Sequence, residues 1–407
     1  ARRQRQMCIR DRRRPDGMLL AYGFDDTTIG EQRYPTRAEL DSVSKTRPIM
    51  VMHISGHLGV VNSAALESMG IKEDVEDPPG GFYGRDETGR LNGLLAETAF
   101  NPVRSQALEL APMDGLRVLS RASHIYLSRG ITFAQNGLAD PAAVRALKPA
   151  LQFGLIPLRL SVWPNADAEQ QRLAGDLTLV QGDRVHLGPV KLVSDGSLQG
   201  YTGFLSEPYY TLPADYPPDY LGFPTLSQEA LSGQVKQFHC RGRQVAVHAN
   251  GDAAIDLSLN AIAGARASCP QVQVQPVLIH AQMATPAQLQ RMVSLDVIPS
   301  FFNTHVYYWG DRHRDVFLGP ERARRISPLA QAAQRRPGEF SPYELAKTAW
   351  AFATAVQWDA ALVSALARAA ERRLGEFSHD QLDITMWAFA MSLAGAVFFF
   401  RRVLGVN

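Results

Sequence analysis

Three side chains fall at equivalent places in three apolar runs. Lys191 lies inside HLGPVKLVSDGS, His248 ends VAVH ahead of Ala-Asn-Gly-Asp, and His280 ends VLIH ahead of Ala-Gln. Imidazole binds zinc well, and two imidazoles on separate strands can hold one ion rigidly. A lysine cannot ligate a metal as ammonium. It can once its amine is carboxylated, which makes it an oxygen donor, and burial favours the neutral, nucleophilic amine this requires. Any one of the three, taken alone, reads more readily as a polar group satisfied by a neighbour. Three at the same structural place point to a metal-assisted site.

The elements that must position them follow a rhythm of helix, then strand. From Leu108 onward an amphipathic helix over Met113–Arg129 leads to a strand at Ile131–Ala134, and a helix over Ala142–Phe153 leads to Leu158–Trp163. A further helix leads to His186–Val193, and a helix over Ser227–Arg241 leads to Gln244–His248. Helices over Ala253–Ala267 and Pro286–Leu295 precede Val277–His280 and Val297–Phe302. Six short apolar runs without strict alternation predict strands buried on both faces, hence a parallel sheet. No GxGxxG follows the first strand, which removes the signature of a dinucleotide-binding sheet. In a closed (β/α)8 barrel the C-terminal strand ends share one pocket, so Lys191, His248 and His280 would converge there. Before this rhythm, Tyr22 to Arg37 reads as polar and turn-rich, with a short helix from Thr36. Ile49–Ile54 reads as a strand, NSAALESMG as a helix, and Phe82–Leu95 as a hairpin turning at Asp86–Gly89.

These stretches carry a resemblance. DGSLQGYTGFLSEPYY, GRQVAVHANGDAAID, LIHAQM and PSFFNTHVYYWGDRHRDVFLGPERARRISPL resemble the amidohydrolase family 3 branch, the N-substituted formamide deformylase-like group. HISGHLGVVNSAAL and PPGGFYGRDETGRLNGLLAE resemble its N-terminal part. The resemblance implies a TIM barrel over residues 15–329, with a zinc centre, of one or two divalent ions, that hydrolyses a C–N bond in a small-molecule amide. It implies Lys191 as the carboxylated lysine, and His248 and His280 as the histidines ending strands five and six. It places His57 of SGHLGVVNS near the substrate, and His305, Tyr307 and Trp309 on a strand-seven segment that lines the pocket. The aromatic run reads equally well as core packing, and His313 as a loop hydrogen-bonder.

The departures from the family pattern are specific. No His-x-His pair occurs anywhere in the chain, and HISGH is a different element. No aspartate ending an eighth strand follows Leu329. The sequence therefore predicts an incomplete barrel that lacks its first and last strands, with hydrolysis impaired. Two exposed sheet edges would result.

Beyond Leu329 the texture changes. FSPYELAKTAWAFATA and FSHDQLDITMWAFAMS are offset by 37 residues, so Trp350 aligns with Trp387. That period predicts a short all-α helical-repeat segment over residues 330–407, which resembles octotricopeptide and FAST-kinase-like repeats of RNA-binding proteins. Eight basic and seven acidic residues there give no evident phosphate-binding face. Two rival readings follow: an RNA-associated repeat protein with a degenerate barrel, and a non-functional chimeric gene model.

Charge and composition set the outer limits. The net charge of +2 hides a tail, residues 1–14, with seven arginines and one aspartate. That tail contributes +6, leaves −4 for the rest, and reads as an artefact. The body offers no nucleic-acid surface. Cys8, Cys240 and Cys269 sit at no metal or CxxC spacing, and so low and odd a count predicts a reducing, cytoplasmic compartment. Met386–Phe400 is too short for the roughly 20 residues that span a bilayer and reads as a core helix.

Overall fold

The computed structural model describes residues 17–328, except 32, 109, 110, 214, 215 and 303, together with 370, 372–376, 378 and 382. The basic tail, the paired FSxxxL repeats and the apolar run 386–400 lie outside the described residues. The chain divides into two compact units, Ala1–Ala281 with Arg291–Ser300, and Gln282–Gln290 with Phe301–Asn407.

The first unit opens with a mixed sheet of β1 (Leu19–Phe24), β2 (Ile49–His53), β3 (Leu58–Val61), β4 (Gly81–Arg85) and β5 (Leu91–Glu97), in the order β1-β2-β3-β5-β4. β1 and β2 run parallel, and the other pairs are antiparallel. β1 corrects the reading of Tyr22 as the start of a turn-rich stretch. LLAYGF is apolar enough for a strand, and its pairing with Ile49–His53 is a tertiary event that local composition does not signal. The expected hairpin is present, with the Asp86 carboxylate accepting from the N–H groups of Thr88 (2.9 Å) and Arg90 (3.0 Å). The helix expected from Thr36 is α1 (Arg37–Val43), closed by a reciprocal capping box with Glu39. α2 (Ser63–Ser68) is capped by Asn62. Met50, Val61, Leu95 and Phe100 pack one core beneath this sheet.

The helix–strand alternation follows. After α3 (Phe100–Leu108) and α4 (Pro112–Leu127) come β6 (Phe133–Ala139), α5 (Pro141–Gln152), β7 (Arg159–Pro164), α6 (Ala166–Ala174), β8 (Val185–Leu187) and β9 (Val190–Val193). Next are α7 (Gln228–His239), β10 (Val245–Ala249), α8 (Asp252–Ser268), β11 (Val277–His280), α9 (Pro286–Ser294) and β12 (Ile298–Phe301). The strand expected at His186–Val193 is broken at Gly188-Pro189, where proline has no N–H to extend a ladder. β8 pairs with β7, in the sheet β6-β7-β8, while β9 starts the sheet β9-β10-β11-β12. A single parallel bridge, Asn165 to Lys191, links the two. Among the described residues the strands form these separate sheets and no closed barrel.

Beneath the seam lies a buried ion cluster. The fully buried Glu169 accepts from Arg172 on both oxygens (2.8 Å each) and from Arg243 Nε (2.6 Å). Arg243 also donates to the Gly188 carbonyl at 2.7 Å. Burial pushes the Glu169 carboxyl up, but the two guanidinium groups outweigh it and hold the group below its usual value.

Two expectations are corrected. Cys240 and Cys269 form a disulfide, with Cα atoms 5.5 Å apart. They follow the packed helices α7 and α8 as C-caps, a proximity that 29 residues of sequence separation cannot reveal. In the second unit, His305, Tyr307 and Trp309 lie on a helix, α10 (Thr304–Arg312), and not on a strand. His305, Trp309 and His313 recur at helical spacing, with ring centroids 5.4 and 6.0 Å from His305. A π-helical turn, His313–Phe317, and α11 (Gly319–Ala323) follow. Among the described residues no helix is long and apolar enough to cross a membrane.

Candidate functional site at the ends of β9, β10 and β11

Three adjacent parallel strands carry the predicted residues. In register, Lys191 pairs with Ala246, Val193 with His248, and Ala249 with His280. The imidazoles of His248 and His280 meet edge to face with centroids 4.6 Å apart. His57 joins them from the loop between β2 and β3, its ring 5.1 Å from that of His248. His280 and Ala281 both take positive φ, 71° and 44°, a strained exit that bends the chain away at the strand end.

Lys191 and His248 are buried. Burial pulls the Lys191 amine down to about 7, against the opposing pull of Asp195. Near neutral pH a large share of it is therefore the free amine. Burial, then the charges of His280, Lys191 and His57, hold His248 well below its ordinary value, so it is a neutral imidazole. Its Nε2 lies 3.0 Å from the Gly196 carbonyl oxygen and 3.1 Å from Asn250 Nδ2.

Two carboxylates complete the cluster, and neither stood out in sequence. Glu97, the last residue of β5, lies with Oε2 2.9 Å from His57 Nδ1, while Oε1 accepts from Thr202 Oγ1 at 2.7 Å. Burial lowers the His57 imidazole, but the charge and hydrogen bond of Glu97 outweigh it and hold it above its usual value. Asp195 accepts backbone N–H groups of Asn250 (2.9 Å), Gly251 (2.8 Å) and Phe204 (3.0 Å). Burial pushes its carboxyl up to about 7 in spite of those amides. It thereby pins the loop after β9 to the loop after β10. Glu97 and Asp195 sit inside the stretches RLNGLLAE and VKLVSDGS, but they become site residues only when β5 and β9 are brought together.

Close approach explains two glycines here. A Cβ on Gly196 would strike the Glu97 carboxylate and the Thr202 side chain, and one on Gly251 would strike the Phe204 carbonyl. Neither position tolerates a side chain without moving the groups that hold His57 and Asp195.

The donor set suits a divalent metal in type: two imidazoles, that of His248 neutral, and a lysine whose amine is free to be carboxylated. Without that carboxyl, two imidazoles are the donors on these strand ends. Among the described residues His248 and His280 do not belong to a set of three His, Cys, Asp or Glu donors lying within 4.8 Å of one another.

The remaining predicted residues belong to the second unit. Phe302 and His305 meet edge to face at 4.6 Å. His313 is fully buried, and burial with the neighbouring His305 charge takes it down to about 3. The side chain of Tyr307 lies outside the described residues.

A model described as the amidohydrolase family matches residues 4–336. An N-substituted formamide deformylase of Arthrobacter pascens is 28% identical over 293 residues, covering 70% of this chain and 53% of the deformylase. The protein LONG AFTER FAR-RED 3 of Arabidopsis thaliana is 27% identical over 328 residues, covering 77% of this chain and 55% of its own length. The chain thus spans about half the length of these curated relatives. Among solved structures, a metal-dependent hydrolase from Pyrococcus horikoshii superposes with a TM-score of 0.58 at 22% identity, covering 94% of this chain and 72% of that one. A second, from Pyrococcus furiosus, gives 0.57 at 22% identity, covering 90% and 73%. At that identity the likeness speaks to the fold.

Proposed function

The chain belongs to the amidohydrolase family, and on that premise we propose that it is a metal-assisted hydrolase of carbon–nitrogen bonds in small amides or N-substituted formamides. The ion is a divalent metal, zinc by choice of donors, held by His248, His280 and a carboxylated Lys191. The observation that carries this reading is the arrival of these three residues on three neighbouring parallel strands, His248 and His280 at or next to the C-terminal ends and Lys191 two residues before the end of β9, with two of the three in neutral or readily neutralised form. The parallel sheet β9-β10-β11-β12, with a helix before each of β10, β11 and β12, supports the reading.

When bound, the metal polarises the amide carbonyl and makes water more acidic. The chain's own residues do the rest. The Gly196 carbonyl and Asn250 engage Nε2 and fix the tilt of the His248 ring, which would leave Nδ1 as its donor to a metal. Glu97 orients His57, whose second nitrogen meets the substrate as a hydrogen-bond partner. Asp195 holds both loops in place through backbone amides. The sequence has no His-x-His pair, so these residues alone are expected to give weak turnover.

The test combines composition with chemistry. The full chain is loaded with zinc in ¹³C-bicarbonate, and bound metal, a lysine carbamate resonance and release of formate from N-formyl amines are measured. The carbamate is expected in the unmodified chain, absent in Lys191→Ala, and lost as pH falls through about 7, where the amine becomes ammonium. Formate release should track zinc retention. Unchanged zinc content in Lys191→Ala and His248→Ala, with no carbamate at any pH, would sink the reading.

A further inference from the structure

Away from the strand-end cluster, the edge of the N-terminal sheet gathers a second set of metal-type donors. Asp25 and Asp26 directly follow β1, and His53 ends β2. One donor atom from each lies within 4.8 Å of the other two, and all three residues are buried. The local backbone explains how they meet. Gly23 takes φ 82°, and the β1–β2 register slips between Tyr22 and Phe24. This irregularity swings the two aspartates out of the ladder beside His53.

The imidazole supplies an independent observation. His53 is 1% exposed, and its buried Nε2 makes no hydrogen bond. That nitrogen faces Asp26 Oδ1 at 3.3 Å. The other nitrogen, Nδ1, lies 2.8 Å from Ser55 Oγ. The rings of Phe24 and Tyr34 stand edge-on to the imidazole at 6.4 and 5.9 Å and close it off from water. A buried ring nitrogen without a hydrogen bond, aimed at carboxylates, calls for a ligand.

Two buried carboxylates within 4.8 Å of each other repel, and a divalent cation offsets that repulsion. The imidazole narrows the class. Calcium and magnesium prefer all-oxygen sets, whereas a nitrogen donor suits zinc and its transition-metal neighbours. Nδ1 accepts the Ser55 backbone N–H at 3.2 Å, so binding an ion at Nε2 requires the ring proton to leave Nε2, either to solvent or to Nδ1 facing Ser55 Oγ. We propose that Asp25, Asp26 and His53 form a zinc-type divalent cation site, separate from the cluster of Lys191, His248 and His280. Its function is structural. β1 pairs with β2 at the edge of its sheet, and the ion clamps its end to β2 where the regular ladder fails.

The experiment uses the full chain, stripped with a chelator, dialysed against zinc chloride and assayed for bound zinc by mass spectrometry. His53→Gln and Asp26→Asn should each lose one zinc relative to the unmodified chain. A Lys191→Ala/His248→Ala double variant should keep that zinc, so failure of this site and failure of the strand-end site are distinguishable. Equal zinc in His53→Gln and the unmodified chain overturns the proposal. If the His53 variant does not fold, crystals of the unmodified chain grown with zinc decide the question. An anomalous peak at the zinc edge between Asp26 and His53 supports the site, and its absence there overturns it.

Discussion

Glu97 shows what a single residue can do without standing out in sequence. Its two oxygens divide their work between His57 and Thr202, so one carboxylate sets both the tautomer and the charge of the imidazole. Glu97→Gln removes the charge that opposes burial, and the His57 pKa should fall from above its ordinary value to below it. Histidine NMR titration measures this directly. The sign follows from linkage. With Glu97 present the raised pKa stabilises the fold at pH below the unfolded imidazole's value, and that contribution is lost as pH rises through the folded one. In Glu97→Gln the dependence reverses. Lys191, His248 and His280 were legible as candidates because each lies within or at the end of an apolar run, a local property. Glu97 was not, because its partner His57 lies 40 residues away and across a sheet.

Elements were legible wherever one period ruled a whole segment. The helices and strands from Met113 to Phe302 fall within a few residues of their expected places. Three failures have physical reasons. Gly188-Pro189 broke one expected strand in two because the ladder cannot cross proline. The aromatic run from His305 was read by resemblance as a strand, although its i, i+4, i+8 spacing is helical. The link between α7 and α8 through Cys240 and Cys269 arises from helix packing alone. That disulfide closes a loop of 29 residues, and reducing it should cost roughly 3–4 kcal/mol. Urea unfolding with and without a reductant, alongside thiol titration, measures the difference. The Glu169 cluster ties α6 to the segment entering β10 through a buried charge. Glu169→Gln leaves Arg172 and Arg243 with an uncharged partner and should destabilise by about 3 kcal/mol. Because the carboxyl is held below its usual value, its contribution is present at neutral pH and is lost on acidification through the folded pKa. The variant's stability should therefore converge on that of the unmodified chain in acid.

At the scale of the whole molecule, two metal-type sites in one compact unit should couple stability to metal supply. An ion that binds only the folded chain at a hundredfold excess over its Kd adds about 2.7 kcal/mol. Zinc should therefore raise the melting temperature in two phases, one abolished by His53→Gln and the other by His248→Ala, with a chelator reversing both. A single phase insensitive to both variants would contradict this. The charge asymmetry between residues 1–14 and the rest was plain from the sequence, as was membership of the amidohydrolase family. The split of the described strands into three sheets was not, since closure depends on which strands meet. The glycines at 196 and 251 carry a last implication, for how such a protein can change over time. A saturation library scored only for folded protein should return glycine almost alone at both positions, because a Cβ would strike the Phe204 backbone at 251 and the hydrogen-bonded Glu97 and Thr202 side chains at 196. The loop floor that carries Glu97 and Asp195 is therefore closed to gradual substitution. New specificity in descendants of this chain would have to enter by lengthening or rewriting the outer loop between Ser206 and Phe223, with the floor inherited unchanged.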